Sequence, residues 1–283
     1  MDRTTPWTVK DTPSRGLPGD PFAAWFAALE ARHLERLTFQ EVRRALQALS
    51  SLYVERRDRL ASGAALESEG KRAAFALFYG PLHFLVVRGI VRALGASSPS
   101  PGHIVDLGCG SGAAGAAWAL EAGGRPEVLG VDRSAWAVQE TAWAYRALGL
   151  AGTARRCDLE RLSLPGRGSA VVAAFTANEL RPLARERLLL RLLEAGRRGA
   201  SVLLVEPLSR RSVPWWDAWT EAFLAAGGRA DAWRLPADLP ERWRLLDRAA
   251  GLDHRELTGR SLWLVSAGAG SGSSSRAPAR RPT

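Results

Sequence analysis

At 283 residues, 46% hydrophobic and 24% charged, the chain is long enough for one large domain or two small ones around a sizeable core. Its two cysteines, Cys109 and Cys157, lie far apart with no C-x-x-C or Cys/His cluster, which excludes a disulfide scaffold and predicts no metal site. No run approaches the roughly 18 to 20 apolar residues of a membrane span, and the N-terminus is polar, so a cytoplasmic protein without membrane contact is expected. The net charge of +10 is almost all arginine and is spread along the chain, so it marks no nucleic-acid-binding face by itself.

Residues 1–20 and 268–283 read as disordered ends, the first rich in Pro and Gly, the second a basic Gly/Ser/Pro/Arg tail. Residues 21–100 read as a helical N-terminal region or lid. Apolar residues recur at helical spacing through Phe22, Trp25, Phe26 and Leu29, and again through Val42, Leu46, Leu49 and Tyr53, predicting two helices. A third helical stretch runs from about Ser68 to Leu94, with a break expected near Gly80-Pro81 because proline cannot continue the hydrogen-bond ladder.

From His103 the pattern changes. HIVDL, EVLGVD, AVVAAF, SVLLVE and SLWLVS read as buried strands, separated by helices near 113–122, 135–149, 183–196 and 214–226. Such alternation implies an α/β domain over 101–267: a Rossmann-like, doubly wound and mostly parallel sheet with helices on both faces. Towards the end, ADAWRL at 230–235, a helical segment at 240–251 and SLWLVS at 261–266 suggest a strand, a helical insertion and a returning edge strand.

Chemistry concentrates in Val105-Asp106-Leu107-Gly108-Cys109-Gly110-Ser111-Gly112. Here a strand ends in an acid and is followed by glycines at alternate positions and then a helix. Such glycines admit close backbone approach to a ligand, and the helix presents free N–H groups, as a nucleotide-like cofactor requires. Asp132 ends the next strand, where a carboxylate can accept from both ribose hydroxyls. Asp158 follows a third short strand in RRCDLE.

Through VDLGCGSG, VD at 131–132 and CDL at 157–159, residues 75–266 resemble the class I S-adenosylmethionine-dependent methyltransferases. The resemblance implies a seven-stranded sheet with a final antiparallel edge strand. It also implies S-adenosylmethionine as cofactor: the methionyl part on Asp106, Gly108, Gly110 and Gly112, the ribose on Asp132, the adenine near Asp158. Cys109, Arg133, Leu159 and Phe175 complete the candidate cofactor set. A nicotinamide enzyme is the competing reading, because Gly108-x-Gly110-x-x-Ala113 fits the relaxed dinucleotide fingerprint. Against it stand the acid at 106, the glycine at 112 and the helical region ahead of the first strand.

In this fold the loop after the fourth strand faces the transferring methyl group, and here it reads Phe175-Thr176-Ala177-Asn178-Glu179-Leu180. It lacks the Asn/Asp-Pro-Pro-aromatic box of enzymes that methylate adenine or glutamine nitrogens. Asn178 and Glu179 are candidates for positioning or deprotonating an acceptor, or else cap the following helix. The run from this loop through SVLLVEP resembles the methyltransferase-like proteins associated with the small ribosomal subunit, without their cysteine cluster. Phe75, Phe78, Tyr79, His83 and Phe84 form one aromatic group that can shape an acceptor pocket, with Tyr79 and His83 as catalytic candidates and His83 as a possible general base. Trp215, Trp216, Trp219 and Phe223 form another; Trp215 and Trp216 are adjacent and cannot both point inward on one stripe. The expected activity is methyl transfer to an O or N acceptor on a small molecule, with RNA or a ribosomal particle as the alternative.

Overall fold

The structure, a computed structural model, describes residues 20–55, 64–122, 126–237 and 239–265. The segments read as disordered, 1–20 and 268–283, lie outside them except for Asp20. That residue caps α1 (Pro21–His33): its carboxylate accepts from the Phe22 N–H at 3.0 Å and pairs with Arg88 at 3.3 Å. A reciprocal cap starts α2 (Phe39–Glu55), where Glu41 accepts from the Thr38 N–H at 2.7 Å and the Thr38 hydroxyl accepts from the Glu41 N–H at 3.3 Å.

The expected break at Gly80-Pro81 is absent. Helix α3 (Glu69–Ala74) runs through a π-turn, Phe75–Tyr79, directly into α4 (Gly80–Leu94). The Gly80 N–H reaches back to the Phe75 carbonyl, and this widened turn seats the proline ring without interrupting the helix. By length and composition the continuous helix Glu69–Leu94 is apolar enough to cross a membrane, but 67% of its most apolar window is buried within the fold, as in a core helix.

The sheet comprises β1 (His103–Leu107), β2 (Glu127–Asp132), β3 (Gly152–Arg156), β4 (Ser169–Ala174), β5 (Ser201–Glu206), β6 (Arg229–Pro236) and β7 (Glu256–Leu264), in the order β3-β2-β1-β4-β5-β7-β6. The first five strands are parallel, and β7 is antiparallel to both its neighbours. SLWLVS is therefore not an edge strand. Its residues from Gly259 to Leu264 are all buried, as an interior position demands, whereas β6 buries only Trp233 and Leu235 and forms the edge.

Helices α5 (Ala113–Glu121) and α6 (Ala135–Ala147) join α4 on one face, with α1 to α3 and α9 (Glu241–Ala249) packed in the same core. Helices α7 (Pro182–Arg197) and α8 (Trp216–Ala225) cover the other face. Fully buried Glu140 of α6 fastens α1 through Arg32 at 3.2 Å and His33 at 3.0 Å. The strand order reverses between β1 and β4, which opens a crevice beyond their carboxyl ends, where open α/β sheets bind ligands.

Candidate active site

The turn after β1 forms the floor of that crevice. Gly108 has φ +66°, and a Cβ there would lie 2.4 Å from Thr176 Cγ2, so the turn needs glycine for both conformation and space. Thr176 in turn donates its hydroxyl to the Leu107 carbonyl at 3.0 Å, locking the β4 loop onto the end of β1. Asp106, 1% exposed, accepts from the Gly115 N–H at 2.8 Å and so braces the start of α5. Burial pushes its carboxyl up to about 7; the Gly115 N–H opposes this and the Asp132 charge adds to it.

Asp132 closes β2 and shapes the same turn, accepting from the Gly110 N–H at 3.1 Å and the Ser134 N–H at 2.8 Å. Burial raises its pKa, against those N–H donors and the Arg133 charge. Cys109 is buried, and its sulfur accepts from the Thr141 hydroxyl at 3.2 Å. Burial, reinforced by Asp106 and Asp132, pushes its thiol up, so it is a packing group rather than a nucleophile. After β3, Asp158 caps a short 3-10 turn by accepting from the Glu160 N–H at 3.0 Å, and Arg191 of α7 holds that turn through the Leu159 carbonyl. Exposed Arg133 stands on the rim, its carbonyl accepting from Arg156 Nε at 2.9 Å.

The β4 loop carries two features that its sequence does not announce. Phe175 has φ +57°, a strained conformation for a bulky residue, and its ring stacks on His83 at 3.9 Å with 14° between planes. Glu206, at the end of β5 and fully buried, accepts from the Asn178 N–H at 3.2 Å and from Asn178 Nδ2 at 2.5 Å. Burial pushes the Glu206 carboxyl up to about 8 despite those donors. Glu206 thus anchors the turn Ala177–Glu179 from beneath.

All the candidate site residues except Gly112 line one cleft of about 1150 Å³. Gly112, with φ +77°, instead starts α5, and a Cβ there would press on Thr141 and Tyr145 at 3.0 Å. Tyr79, His83, Asn178 and Glu179 all reach the cleft, joined by Tyr53, Phe75, Leu82, Val86 and His254. Burial pushes the His83 imidazole down to about 3, which disfavours it as a proton acceptor. Burial raises Tyr79 to about 12, so its hydroxyl remains a donor. Phe78 and Phe84 lie in the core instead, Phe78 stacked on Trp243 at 4.3 Å. None of Trp215, Trp216, Trp219 and Phe223 lines the cleft; they pack under α8 against the second face. Trp216 is buried beneath Arg260 at 5.0 Å, and half-buried Trp215 is covered by Arg185 at 5.2 Å, which resolves their adjacency.

Half-buried Asp132 at a strand end, the close-approach turn at Gly108 and Gly110, and Asp158 with Leu159 on the same wall fit an adenosine-bearing ligand whose ribose meets the second acid. Residues 104–199 match the family model described as a methyltransferase domain. Over that stretch the chain carries a methyltransferase domain. Its cofactor is S-adenosylmethionine. Two solved structures share the fold at a TM-score of 0.50. The mitomycin 7-O-methyltransferase MmcR is 15% identical, with 89% of this chain and 74% of that one covered. A candidate O-methyltransferase from Nostoc punctiforme PCC 73102 is 14% identical, with 77% and 71% covered. A candidate RNA methyltransferase from Pyrococcus horikoshii is also similar, at TM-score 0.43 and 14% identity, with 66% and 85% covered. No curated protein matches the chain in sequence. The nicotinamide alternative gives way to this assignment. Its familiar sheet order 3-2-1-4-5-6 has no antiparallel strand between the fifth and sixth, where β7 stands here.

Proposed function

We propose that the enzyme methylates an oxygen or nitrogen of a small molecule held in the aromatic half of the cleft. The observation that carries this reading is the cleft itself. At about 1150 Å³ it exceeds the roughly 300 to 1,000 Å³ of a site for one drug-sized ligand. Beyond the cofactor residues it continues between aromatic and aliphatic walls at Tyr53, Phe75, Tyr79, Leu82, Val86 and Phe175. Those apolar walls suit a compact acceptor better than a polynucleotide, which needs an extended basic track; the arginines of the cleft, Arg133, Arg156, Arg181 and Arg191, belong to its other side, with Asp132, Asp158 and the β4 loop. The O-methyltransferase names of two fold relatives agree with this reading. The free thiols Cys109 and Cys157 fit a reducing, cytoplasmic setting.

When bound, the cofactor supplies an electrophilic methyl group on a sulfonium. The protein's part is mostly alignment, holding the acceptor atom ~3 to 3.5 Å from that carbon and in line with the leaving sulfur. Asp132 takes the ribose, Asp158 and Leu159 flank the adenine, and Asp106 with Gly108 and Gly110 faces the methionyl part. Asn178 and Glu179, anchored by Glu206, present polar groups to the acceptor, and Tyr79 donates a hydrogen bond. The His83–Phe175 stack supplies an aromatic wall beside the acceptor.

The test incubates the protein and isotopically labelled cofactor with cell extract separated into small metabolites, RNA and ribosomal particles. Label is expected in the small-molecule fraction. Label entering RNA or ribosomes instead, and persisting with a chain ending at Ala267, overturns the reading in favour of the RNA alternative. Calorimetry with S-adenosylhomocysteine and with NAD checks the cofactor independently.

A further inference from the structure

The turn between α9 and β7 brings a second titratable pair to the cleft. His254 lines the wall, and its Nδ1 lies 2.7 Å from Oδ1 of Asp247. The backbone N–H of the same histidine donates to Asp247 Oδ2 at 2.9 Å. Asp247 is 4% exposed, near the end of α9, so both carboxylate oxygens are committed to one residue. The imidazole is set edge-on to Phe78 at 5.7 Å and to Trp243 at 5.6 Å, which fixes its plane. With Nδ1 as donor to the carboxylate, the tautomer leaves the lone pair on Nε2. Among the described residues Nε2 has no hydrogen-bond partner. The side chain is 33% exposed, enough for a molecule in the cleft to reach it.

A plain loop staple accounts for part of this. The Leu252 N–H donates to the Asp247 carbonyl at 3.0 Å, and the His254 N–H bond completes the turn. Neither bond requires an imidazole at 254, nor a ring held by Nδ1 at the wall of the substrate cleft. A buried carboxylate orienting a histidine whose other nitrogen is open is the arrangement of a general base and its orienter.

We propose that His254, positioned by Asp247, is the general base of the reaction and that the acceptor is an aromatic hydroxyl compound. The proposal rests on the reading of the cleft as a methyltransferase acceptor site. An amine is attacked through its own lone pair and needs no base beforehand. A phenol ionises near ~10, as tyrosine does, within an imidazole's reach, and its ring matches the aromatic wall. In the step, His254 Nε2 takes the phenolic proton while an oxygen lone pair forms the bond to the methyl carbon. The carbon–sulfur pair is left on the departing thioether. The positive charge lost from the sulfonium is matched by the imidazolium, which Asp247 stabilises. The products are a methyl ether and S-adenosylhomocysteine.

The test compares the wild type with His254→Asn and Asp247→Asn, whose amide oxygen still accepts from Nδ1–H. Calorimetry with S-adenosylhomocysteine comes first: unchanged affinity in both variants shows folded sites, and no binding by the wild type overturns the cofactor reading and this proposal together. The next readout needs no cofactor. 4-Nitrophenol bound to wild type is expected to ionise more readily than in buffer, seen as phenolate absorbance, and His254→Asn should abolish that shift. Turnover is then measured with phenol, catechol and 4-nitrophenol. His254→Asn should slow catechol on the order of 100-fold or more, the scale of general-base catalysis, but 4-nitrophenol less than about tenfold because it is largely ionised already. Asp247→Asn should fall between. Equal losses on catechol and 4-nitrophenol, or wild-type turnover in His254→Asn, overturn the assignment of the base. Binding of S-adenosylhomocysteine without methylation of any of the three phenols overturns the substrate class and leaves the methyltransferase reading standing.

Discussion

Glu206, buried beneath the β4 loop, ties the pH dependence of stability to the anchoring of that loop. Its carboxyl is held at about 8 rather than the ordinary 4.5, chiefly by burial, so the folded protein binds that proton more tightly than the unfolded chain does. The native state therefore carries the extra proton throughout the interval from 4.5 to 8, and stability falls as pH rises through it. Between pH ~5 and ~9 this one group removes about 4 kcal/mol of unfolding free energy, at 1.36 kcal/mol per pH unit of displaced titration. Asp106, held at about 7 rather than 3.8, acts in the same direction and removes about 3 kcal/mol over that range. Glu206→Gln eliminates the first contribution and leaves the second. The glutamine can still accept from the Asn178 N–H, and its amide can donate to Asn178 once that side chain turns over. Urea unfolding of both proteins across pH 5 to 9 should therefore show a steep decline for the wild type and roughly half of it for the variant, with the two curves separating most above pH 7. Parallel curves would mean that Glu206 ionises normally and that burial is not the dominant influence on it.

Other substitutions probe the remaining parts of the site. Asp132→Ala should weaken S-adenosylhomocysteine binding by about 2 to 4 kcal/mol in calorimetry, because two charge-assisted bonds to the ribose are lost; unchanged affinity would place the ribose elsewhere. Gly108→Ala forces a Cβ to within 2.4 Å of Thr176 Cγ2 at φ +66° and should cost at least ~1 to 3 kcal/mol of stability, less when combined with Thr176→Ser, as thermal melts would show. Arg32→Ala with His33→Ala strips both ion-pair partners from buried Glu140. It should cost ~3 kcal/mol or more and speed amide exchange in α1; unchanged exchange would show that α1 is held by packing alone.

The glycine-turn side of the cleft was legible because Asp106 and Asp132 stand at the ends of strands whose apolar runs are visible in sequence. Residues adjacent in the chain suffice to place Asp106, Asp132 and the glycine turn at the ends of β1 and β2. The third strand was harder: GTARR at 152–156 is an edge strand with little to bury and so has no apolar run, and only Asp158 behind it gave the position away. Other features depend on partners far away in sequence. Pro81 predicts a break from local rules, yet the π-turn before it absorbs the ring. The uniform apolarity of SLWLVS signals burial on both faces, which is a property of an interior strand, and its pairing with β5 and β6 is what sets that position. Glu206 in SVLLVEP reads as an ordinary strand end until Asn178, 28 residues earlier, is seen to bond it. His83 reads as a possible base on its own, whereas its stack on Phe175 and the burial that pushes its imidazole down to about 3 depend on a residue distant in the chain.

The two halves of the cleft differ in how they are built. The residues proposed to hold the cofactor sit at the ends of β1 and β2 and on the turns after β1 and β3, where strand pairing fixes the backbone. The acceptor wall is assembled from α2, the π-turn before α4, the β4 loop and the turn into β7, segments spread from Tyr53 to Thr258. These meet only because α4 packs on α5 and on β7, and because Trp243 of α9 donates its indole N–H to the Phe78 carbonyl at 3.0 Å. Substitutions in that wall change the shape presented to an acceptor without touching the pairing of the parallel strands. The parallel strands can therefore keep their end of the cleft fixed while the helices and loops reshape the opposite wall, and under the proposed chemistry the contacts among Phe78, Trp243, Asp247 and His254 are where the choice of acceptor would be made.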